Sequence, residues 1–395
     1  EPFLIDPEGY IWHVPYALTL NHTVEEIHEN CLKAQQDEER LKFLEEKAHL
    51  RLAFEDNEAS EKMFIPEKLT LEEFVEKSKN KFVFLGLHGG DGENGVLQKI
   101  FKKNNISFNG PGEKCSKICM DKYETGLKLK GLEKKGIYSA EKISVKFDDL
   151  AKMNFKEIEE FWNDIVTKTD SKSLIIKPQD DGCSSGIVRL YDAIDLEKYI
   201  TLMKAGALQV PPGTFKKQEG IIEMPPAPSE NLMLEKFIVT DSIRIRGNKL
   251  KYTKKTGWIE VTVAVIENNL KSGKNKIHAL NPSVTVAEGD VLSVEEKFQG
   301  GTGINITPPP SEILSEKNLK KVKKSIEKVA DILGIEGYSR IDAFVNVENG
   351  DIIVIEVNTL PALTPSTVLY HQGLAEKPPI EPMALLESLI GNKRY

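Results

Sequence analysis

Residues 339–358 hold the feature that most restricts how the chain can fold. The runs 339–347 (Ser-Arg-Ile-Asp-Ala-Phe-Val-Asn-Val) and 351–358 (Asp-Ile-Ile-Val-Ile-Glu-Val-Asn) have strand composition, and Glu348, Asn349 and Gly350 between them form a turn. Successive side chains of a strand point to opposite faces. Arg340, Asp342, Phe344 and Asn346 therefore share one face of the first strand, and Glu356 and Asn358 share one face of the second. Whether the two polar sets meet depends on the turn. A two-residue turn sets Asp342 and Glu356 on opposite faces. A three-residue turn with a left-handed Gly350 sets Asp342 directly across from Glu356, and Arg340 across from Asn358. The three-residue turn is predicted.

Facing carboxylates repel unless something positive lies between them. Asp342, Glu356 and Asn358 form an oxygen-only donor set, which suits Mg²⁺ sharing its remaining positions with water and phosphate. Two such ions clamp a transferring phosphoryl group. The competing reading is a structural cluster in which Arg340 neutralises the acids.

The chain has no G-x-x-x-x-G-K-[ST] motif, so a phosphate site must be built otherwise. Lys177 ends an apolar strand at 173–177 and leads into a Gly/Ser-rich loop at 178–186. A lysine there reaches a phosphate as a point charge, and the loop offers backbone N–H groups and hydroxyls. A Gly/Ser turn without a ligand explains the same residues. Residues 234–238 (Leu-Glu-Lys-Phe-Ile) read as a strand edge whose backbone pairs with a purine while Phe237 covers its face, or as a plain core strand. Gly90, Gly92 and Gly95 satisfy a dinucleotide fingerprint formally. Asp91 and Glu93 would then sit where a pyrophosphate needs donors, so that reading is set aside.

Composition narrows the classes. Among 395 residues, 61 acids exceed 53 bases, giving a net charge of −8, which argues against a non-specific nucleic-acid or anionic-membrane binder. Hydrophobic residues at 40% suffice for real cores. No apolar run is long enough to cross a bilayer and no signal-peptide pattern opens the chain. Four scattered cysteines fit a reducing, cytoplasmic setting. Cys115 and Cys119, four apart, lack further ligands nearby for a zinc site. The chain starts at Glu1 without a methionine, as expected of a processed or partial chain.

A charge-rich, solvated helix is expected over about 24–54, opened by a capping box at Thr23 and Glu26. A strand at 82–87, a helix at 96–104 and a strand near 106–108 make a βαβ unit. Two helices are expected over 113–135, a strand at 141–147 and a helix at about 155–168. An exposed loop fills 210–230. Strands at 233–239 and 259–267 flank a basic polar excursion, and a helix spans 312–333. The fold class is α/β, becoming α+β in the C-terminal parts. Boundaries fall near 110 and 234, giving 1–110 as an N-terminal α/β domain on the substrate side, expected to be incomplete, 111–234 as a central part, and 235–395 as a C-terminal part with the metal site.

Taken in order, these pieces resemble the ATP-grasp superfamily and, within it, the D-alanine–D-alanine ligases, over roughly residues 82–372. The resemblance rests on 88–95 (His-Gly-Gly-Asp-Gly-Glu-Asn-Gly), 109–112 (Asn-Gly-Pro-Gly), 120–122 (Met-Asp-Lys), 177–186, 235–238, 340–342 (Arg-Ile-Asp) and 356–364 (Glu-Val-Asn-Thr-Leu-Pro-Ala-Leu-Thr). The last run, after an Arg-Ile-Asp strand, is the most specific to the family. The resemblance implies an ATP-grasp fold, with the nucleotide held between two α+β subdomains. Lys122, Lys177 and Ser184 would contact phosphates, and Glu235, Lys236, Phe237 and Ile238 would hold adenine. Glu260 would hold the ribose, and Lys297 would close over the γ-phosphate. Asp342, Glu356 and Asn358 would hold two Mg²⁺ ions, with Mn²⁺ as an alternative. Arg340 and the N–H of Ala362 would support the tetrahedral transition state, Thr367 and Val368 would line the acceptor site, and His88 and Glu93 would serve the first amino acid. Arg340, Lys297, Glu93 and Ser184 form the catalytic set.

The implied activity is ATP-dependent carboxylate–amine ligation of two amino acids through an acyl phosphate, with D-alanine as substrate, in peptidoglycan precursor synthesis. Nucleic acid and membrane are not expected as partners, and a homodimer is allowed. Three departures stand out. The family's opening Gly-Gly-x-Ser-x-Glu-x-x-Val-Ser has no counterpart in residues 1–80 and is expected upstream of Glu1. Cys183 replaces a usual serine, and Phe298 a frequent tyrosine. They keep two alternatives open: a ligase for another amino acid or peptide, and a nucleotide-binding module without ligase activity.

Overall fold

A computed structural model describes residues 1–20, 23–34, 38–52, 65–180, 185–225, 227–246, 249–269, 275–286, 304–364 and 367–391. Its contacts divide the chain into two compact units. One comprises residues 1–82 with 103–106; the other comprises 83–102 with 107–395.

In the first unit, strands Phe3–Ile5, Ile11–His13 and Glu67–Leu69 form an antiparallel sheet. The charged stretch expected as one long helix is two described helices, Val24–Ala34 and Glu38–Arg51. Its expected solvation fails at Glu45, which is buried and accepts from the backbone N–H groups of Tyr16 and Ala17 at 3.0 and 2.7 Å. The predicted capping box at Thr23 is present: Glu26 N–H donates to Thr23 Oγ1 at 3.1 Å, and Thr23 N–H donates to Glu26 Oε2 at 3.3 Å.

The second unit has two sheets and two hydrophobic cores. The first sheet orders Lys142–Lys146, Asn231–Lys236, Leu174–Pro178 and Val188–Leu190, all antiparallel. Helices Phe155–Thr169 and Ala193–Lys204 contribute to its core through Ile158, Trp162, Ile165, Leu196, Tyr199 and Ile200. The expected exposed loop over 210–230 is tethered here. Val210, Phe215 and Met224 are buried in this core, and short strands Gln209–Val210 and Ile222–Glu223 pair. Apolar residues within a polar run override its Pro/Gly-rich composition.

The second sheet orders Asn275–Ala279, Trp258–Asn269, Tyr338–Asn346, Ile352–Asn358 and Ile137–Ser139, with the last pair parallel. Ile259, Val261, Val263, Ile341, Ala343 and Val345 turn one face into a core with helix Glu316–Leu333, whose Val322, Ile326, Val329 and Leu333 recur at helical spacing. The expected pair of helices over 113–135 appears as Glu113–Met120 and Lys122–Leu129, followed by a 3₁₀ turn at Glu133–Lys135. Cys115, Cys119 and Leu129 from this segment join the core of the second sheet. The basic excursion before Trp258 is a hairpin, Ser242–Arg246 with Lys249–Thr253. Of the strand expected at 82–87, only Phe82–Val83 is regular; beyond it, the Asn109 side chain takes over, accepting from Leu85 N–H at 2.6 Å and donating to Leu85 O at 3.1 Å.

Gly337 precedes the strand that carries Arg340 and Asp342. Its φ is +70°, and a Cβ there would lie 3.0 Å from the Gly110 backbone. Gly337→Ala is expected to destabilise the second unit by about 1–3 kcal/mol, read as an earlier urea transition in a fluorescence or proteolysis assay of that unit.

Candidate functional site

The long hairpin delivers its acids to one face, by a different route from the one predicted. Next to the turn, Val345 pairs with Ile352, Phe344 with Ile353 and Ala343 with Val354; beyond a bulge, Asp342 pairs with Glu356, Ile341 with Val357 and Arg340 with Asn358. The connection is longer than the three residues expected. Asn346 is still paired, its N–H donating to Asp351 O at 2.8 Å, and its side chain accepts from Glu348 and Asn349 N–H at 3.0 and 3.3 Å. Gly350 is left-handed, as expected, with φ +72°. Without the extra residue at Ile355, this turn would have turned Glu356 away from Asp342. The bulge restores the parity.

Asp342 is buried, and its hydrogen bonds come from three directions. Thr262 Oγ1 donates at 2.8 Å from the neighbouring strand, Arg340 Nη2 at 3.1 Å and Asn358 Nδ2 at 3.3 Å. Burial pushes its carboxyl above the usual range against the pull of Arg340, and the charge of Glu356 pushes the same way. Glu356 goes the other way. Burial opposes its ionisation, but Lys122, Lys177 and Arg340 hold it low. Lys122 Nζ lies 3.8 Å from Glu356 Oε2, and 20% of the glutamate side chain stays exposed.

A second charge group lies on the first sheet. Lys177 Nζ is 2.6 Å from Glu235 Oε1, and Lys142 Nζ is 3.8 Å from Glu235 Oε2 and donates to Lys122 O at 3.1 Å. Burial alone would raise Glu235, yet Lys177 and Lys142 keep it low; burial in turn lowers Lys142. Four cations (Arg340, Lys122, Lys142, Lys177) thus stand close to three carboxylates (Asp342, Glu356, Glu235), with Glu93 also acting on Arg340 and Asp121 on Lys142. A buried lysine in such a low-dielectric setting interacts with a nearby anion more strongly than it would in water. The charge of Glu356 leaves a residual repulsion on the Asp342–Glu356 pair.

A third group adjoins. Glu93, predicted on a glycine-rich loop, sits in the helical turn Gly90–Glu93 and is buried. It accepts from Gly89 N–H and Leu360 N–H, each at 2.7 Å, and lies 3.0 Å from His88 Nδ1. Leu360 follows the strand that carries Glu356 and Asn358, so one loop ties the two groups together. The hydrogen bond that the His88 ring donates to the Glu93 carboxylate raises the His88 pKa above its ordinary value, against partial burial.

Other sequence candidates fall differently. Asn231–Lys236 is not an edge strand; its backbone pairs on both sides, because Lys142–Lys146 covers the side expected to be open. Phe237 and Ile238 lie just past its end, and the Arg189 guanidinium stands 3.5 Å over the Phe237 ring. Lys236 points to Asp170 at 3.9 Å. Glu260 is exposed on the acid face, across from Phe344. Thr367 precedes helix Val368–Leu374, and its N–H donates to Thr364 O at 2.9 Å. Among the described residues, no hydrogen bond or ion pair ties Ala362, Thr367 or Val368 to the charge cluster. Ser184 and Lys297, with Cys183 and Phe298, lie outside the described residues.

The sequence reading missed Lys142, Thr262 and Ser139. Lys142 looked like any lysine of an amphipathic strand; only its pairing with 231–236 turns it inward. Thr262 could have been found, since it alternates in step with Glu260. The Ser139 hydroxyl is buried without a partner among the described residues, close to where a Cβ at Gly126 would touch both it and Lys142. Among the described residues, no three His, Cys, Asp or Glu side chains stand where they could together hold a metal ion, so a cation here would use the acid pair with an amide oxygen. No described helix is long and apolar enough to cross a membrane.

Comparison with known proteins supplies the context. Residues 253–391 match the family described as D-ala D-ala ligase C-terminus. The chain is 26% identical over 297 residues to a D-alanine–D-alanine ligase of Leptospira interrogans, covering 74% of this chain and 68% of the relative. It is 25% identical over 310 residues to that of Carboxydothermus hydrogenoformans, covering 77% and 79%. Among solved structures, the Bacillus anthracis D-alanine–D-alanine ligase complexed with ATP aligns with a TM-score of 0.52 at 21% identity, covering 82% of this chain and 84% of that one. That likeness speaks to the fold.

The His88–Glu93 pair has a signed pH consequence. His88 is raised from its unfolded value, so its contribution to stability is complete below about pH 6.5 and is lost as pH rises through the higher folded pKa. An NMR titration of the His88 imidazole is expected to give a midpoint above about 6.5, and Glu93→Gln to bring it down towards that value. An unchanged midpoint in the variant would contradict the pairing.

Proposed function

We propose that this chain, which belongs to the D-alanine–D-alanine ligase family of the ATP-grasp superfamily, joins two molecules of D-alanine at the cost of ATP. The observation that supports this most is the buried charge face. Lys142 and Lys177 on the first sheet and Lys122 at the start of a neighbouring helix are buried together, on Glu235 and on Glu356 of the acid pair. Buried ion pairs add little net stability, whereas lysines fixed and desolvated side by side suit a polyphosphate. In this reading residues 111–234 and 235–395 are the two halves that hold the nucleotide, and 1–110 is the substrate-side part.

Lys122 and Lys177 contact the phosphates, and Lys142 holds both in place through Glu235 and the Lys122 carbonyl. Phe237 and Ile238, past the strand end, take the adenine, Glu260 the ribose, and Lys297 and Ser184 close on the phosphates. Glu93 has acceptor capacity left after its two backbone bonds, and with His88 it takes the ammonium of the first amino acid. Arg340 faces the developing negative charge, and the Ala362 N–H, Thr367 and Val368 receive the acceptor.

The residues fit a divalent cation. Asp342 is pushed above its usual range and Glu356 lies across from it, so a cation between them removes a standing repulsion. Asp342, Glu356 and Asn358, with its amide oxygen turned inward, would hold Mg²⁺ or Mn²⁺. When bound, such ions neutralise charge on the transferring phosphoryl group. The remaining work is done by the chain: aligning the carboxylate of one amino acid with the terminal phosphate, then excluding water while the amine of the second displaces phosphate. A cytoplasmic location and a homodimer belong to the same proposal.

ADP release with D-alanine, set beside a panel of other amino acids and a blank, tests the activity. D-alanine-dependent release supports it; release only with another amino acid, or tight nucleotide binding with no release, contradicts it. Glu356→Gln is expected to lower turnover by about a thousandfold or more, since a preorganised charge partner is lost, with an unchanged circular dichroism spectrum. Lys142→Met is expected to raise the KM for ATP by about tenfold with a smaller change in kcat, because Lys142 acts by positioning its neighbours.

A further inference from the structure

Helix Glu316–Leu333 has a second face that the ligase reading leaves unused. Its core face is Val322, Ile326, Val329 and Leu333. Away from it, Lys317, Lys320, Lys321, Lys324 and Lys328 recur at spacings of three and four, forming one stripe about 16 Å long. Lys135, from the 3₁₀ turn Glu133–Lys135, meets this stripe across a groove of about 850 Å³. The groove lies behind the second sheet, since the helix packs on the face opposite Asp342 and Glu356.

We infer that this lysine-lined groove is a binding site for a compact oligophosphate anion, separate from the nucleotide cleft. The chain as a whole carries a net charge of −8, so six lysines around one concavity do not follow from composition. Glu316 is the one carboxylate lining it. Asp351 pairs with Lys321 at 2.6 Å and Asp331 with Lys328 at 2.8 Å. Among the described residues, Lys135, Lys317, Lys320 and Lys324 have no carboxylate partner. Like charges three and four apart on a helix repel, and Lys317–Lys321, Lys320–Lys324 and Lys324–Lys328 all stand at that spacing. A bound polyanion relieves this repulsion; an ordinary solvated face would have interleaved acids at the same positions.

The lining also selects the class of anion. It contains no aromatic side chain on which a nucleobase could stack, which disfavours a single-stranded nucleic acid. Ile137, its one apolar member, is buried, so nothing is available to insert into a lipid surface. What remains is a short chain of phosphates, each within reach of flexible ammonium groups.

The test titrates inorganic tripolyphosphate into the full chain by calorimetry, in parent protein, in Lys320→Glu/Lys324→Glu and in the charge-matched control Lys152→Glu/Lys204→Glu. The groove variant is expected to lose affinity by about tenfold or more, while the control binds as the parent does. ADP affinity is expected to stay unchanged in both variants, and both are expected to unfold cooperatively at or above the parent's thermal midpoint. Added salt should weaken the parent interaction steeply. Equal affinity in the groove variant and the parent, or no binding by the parent, overturns the inference. So does a parent that ignores tripolyphosphate but binds duplex DNA or phosphatidylglycerol vesicles through the same lysines, because the occupant is then an extended polyanion or a membrane.

Discussion

The site depends on a single bulge between two antiparallel strands. Strand pairing fixes side-chain direction in steps of two, so one residue more or less decides whether Asp342 and Glu356 cooperate or point apart. Ile355 supplies that residue, and with it Arg340 meets Asn358 while Ile341 and Val357 remain in the core. The same alternation carries Thr262 and Glu260 onto the acid face from the adjacent strand. One backbone irregularity therefore sets four polar side chains and the opposing apolar layer at once.

Around that ribbon, buried charges of both signs are packed closely together. Glu235 is pinned between Lys177 and Lys142, and Glu356 is held ionised by Lys122, Lys177 and Arg340. Buried ion pairs add little net stability once desolvation is counted, so a cluster of seven charged side chains is a poor way to hold two sheets together. It is an effective way to keep lysines fixed and desolvated, where each is worth more to an incoming phosphate than it would be in water. The cores under each sheet supply the rigidity, through Ile176, Leu232 and Tyr199 on one side and Val263, Ile341 and Ile326 on the other.

Much of this was legible in the sequence. Period-two alternation in 339–358 and the helical spacing of Val322, Ile326 and Val329 gave the right elements, and the run 356–364 pointed to the family whose model matches residues 253–391. The facing of Asp342 and Glu356 was also read correctly, through the wrong turn: a bulge leaves no composition signal when the inserted residue is another isoleucine. The interior position of 231–236 could not be read, because whether a strand is an edge depends on a partner some ninety residues away. Lys142 stayed hidden for the same reason. The segment 210–230 misled through its prolines and glycines, although Val210, Phe215 and Met224 were in view. Residues 1–80 gave the weakest pattern; Glu45 shows why, since a buried acid satisfied by backbone N–H groups looks in sequence like a solvated one.

The central claim is that the acid face gathers divalent cations that carry a nucleotide's phosphates. Crystals grown with ADP and Mn²⁺ test it directly through the anomalous signal of manganese. The account predicts anomalous peaks between the Asp342 and Glu356 carboxylates, with the Asn358 amide oxygen turned towards them. Peaks elsewhere, or an acid pair still closed on Arg340 with nucleotide bound and no manganese between, would contradict it.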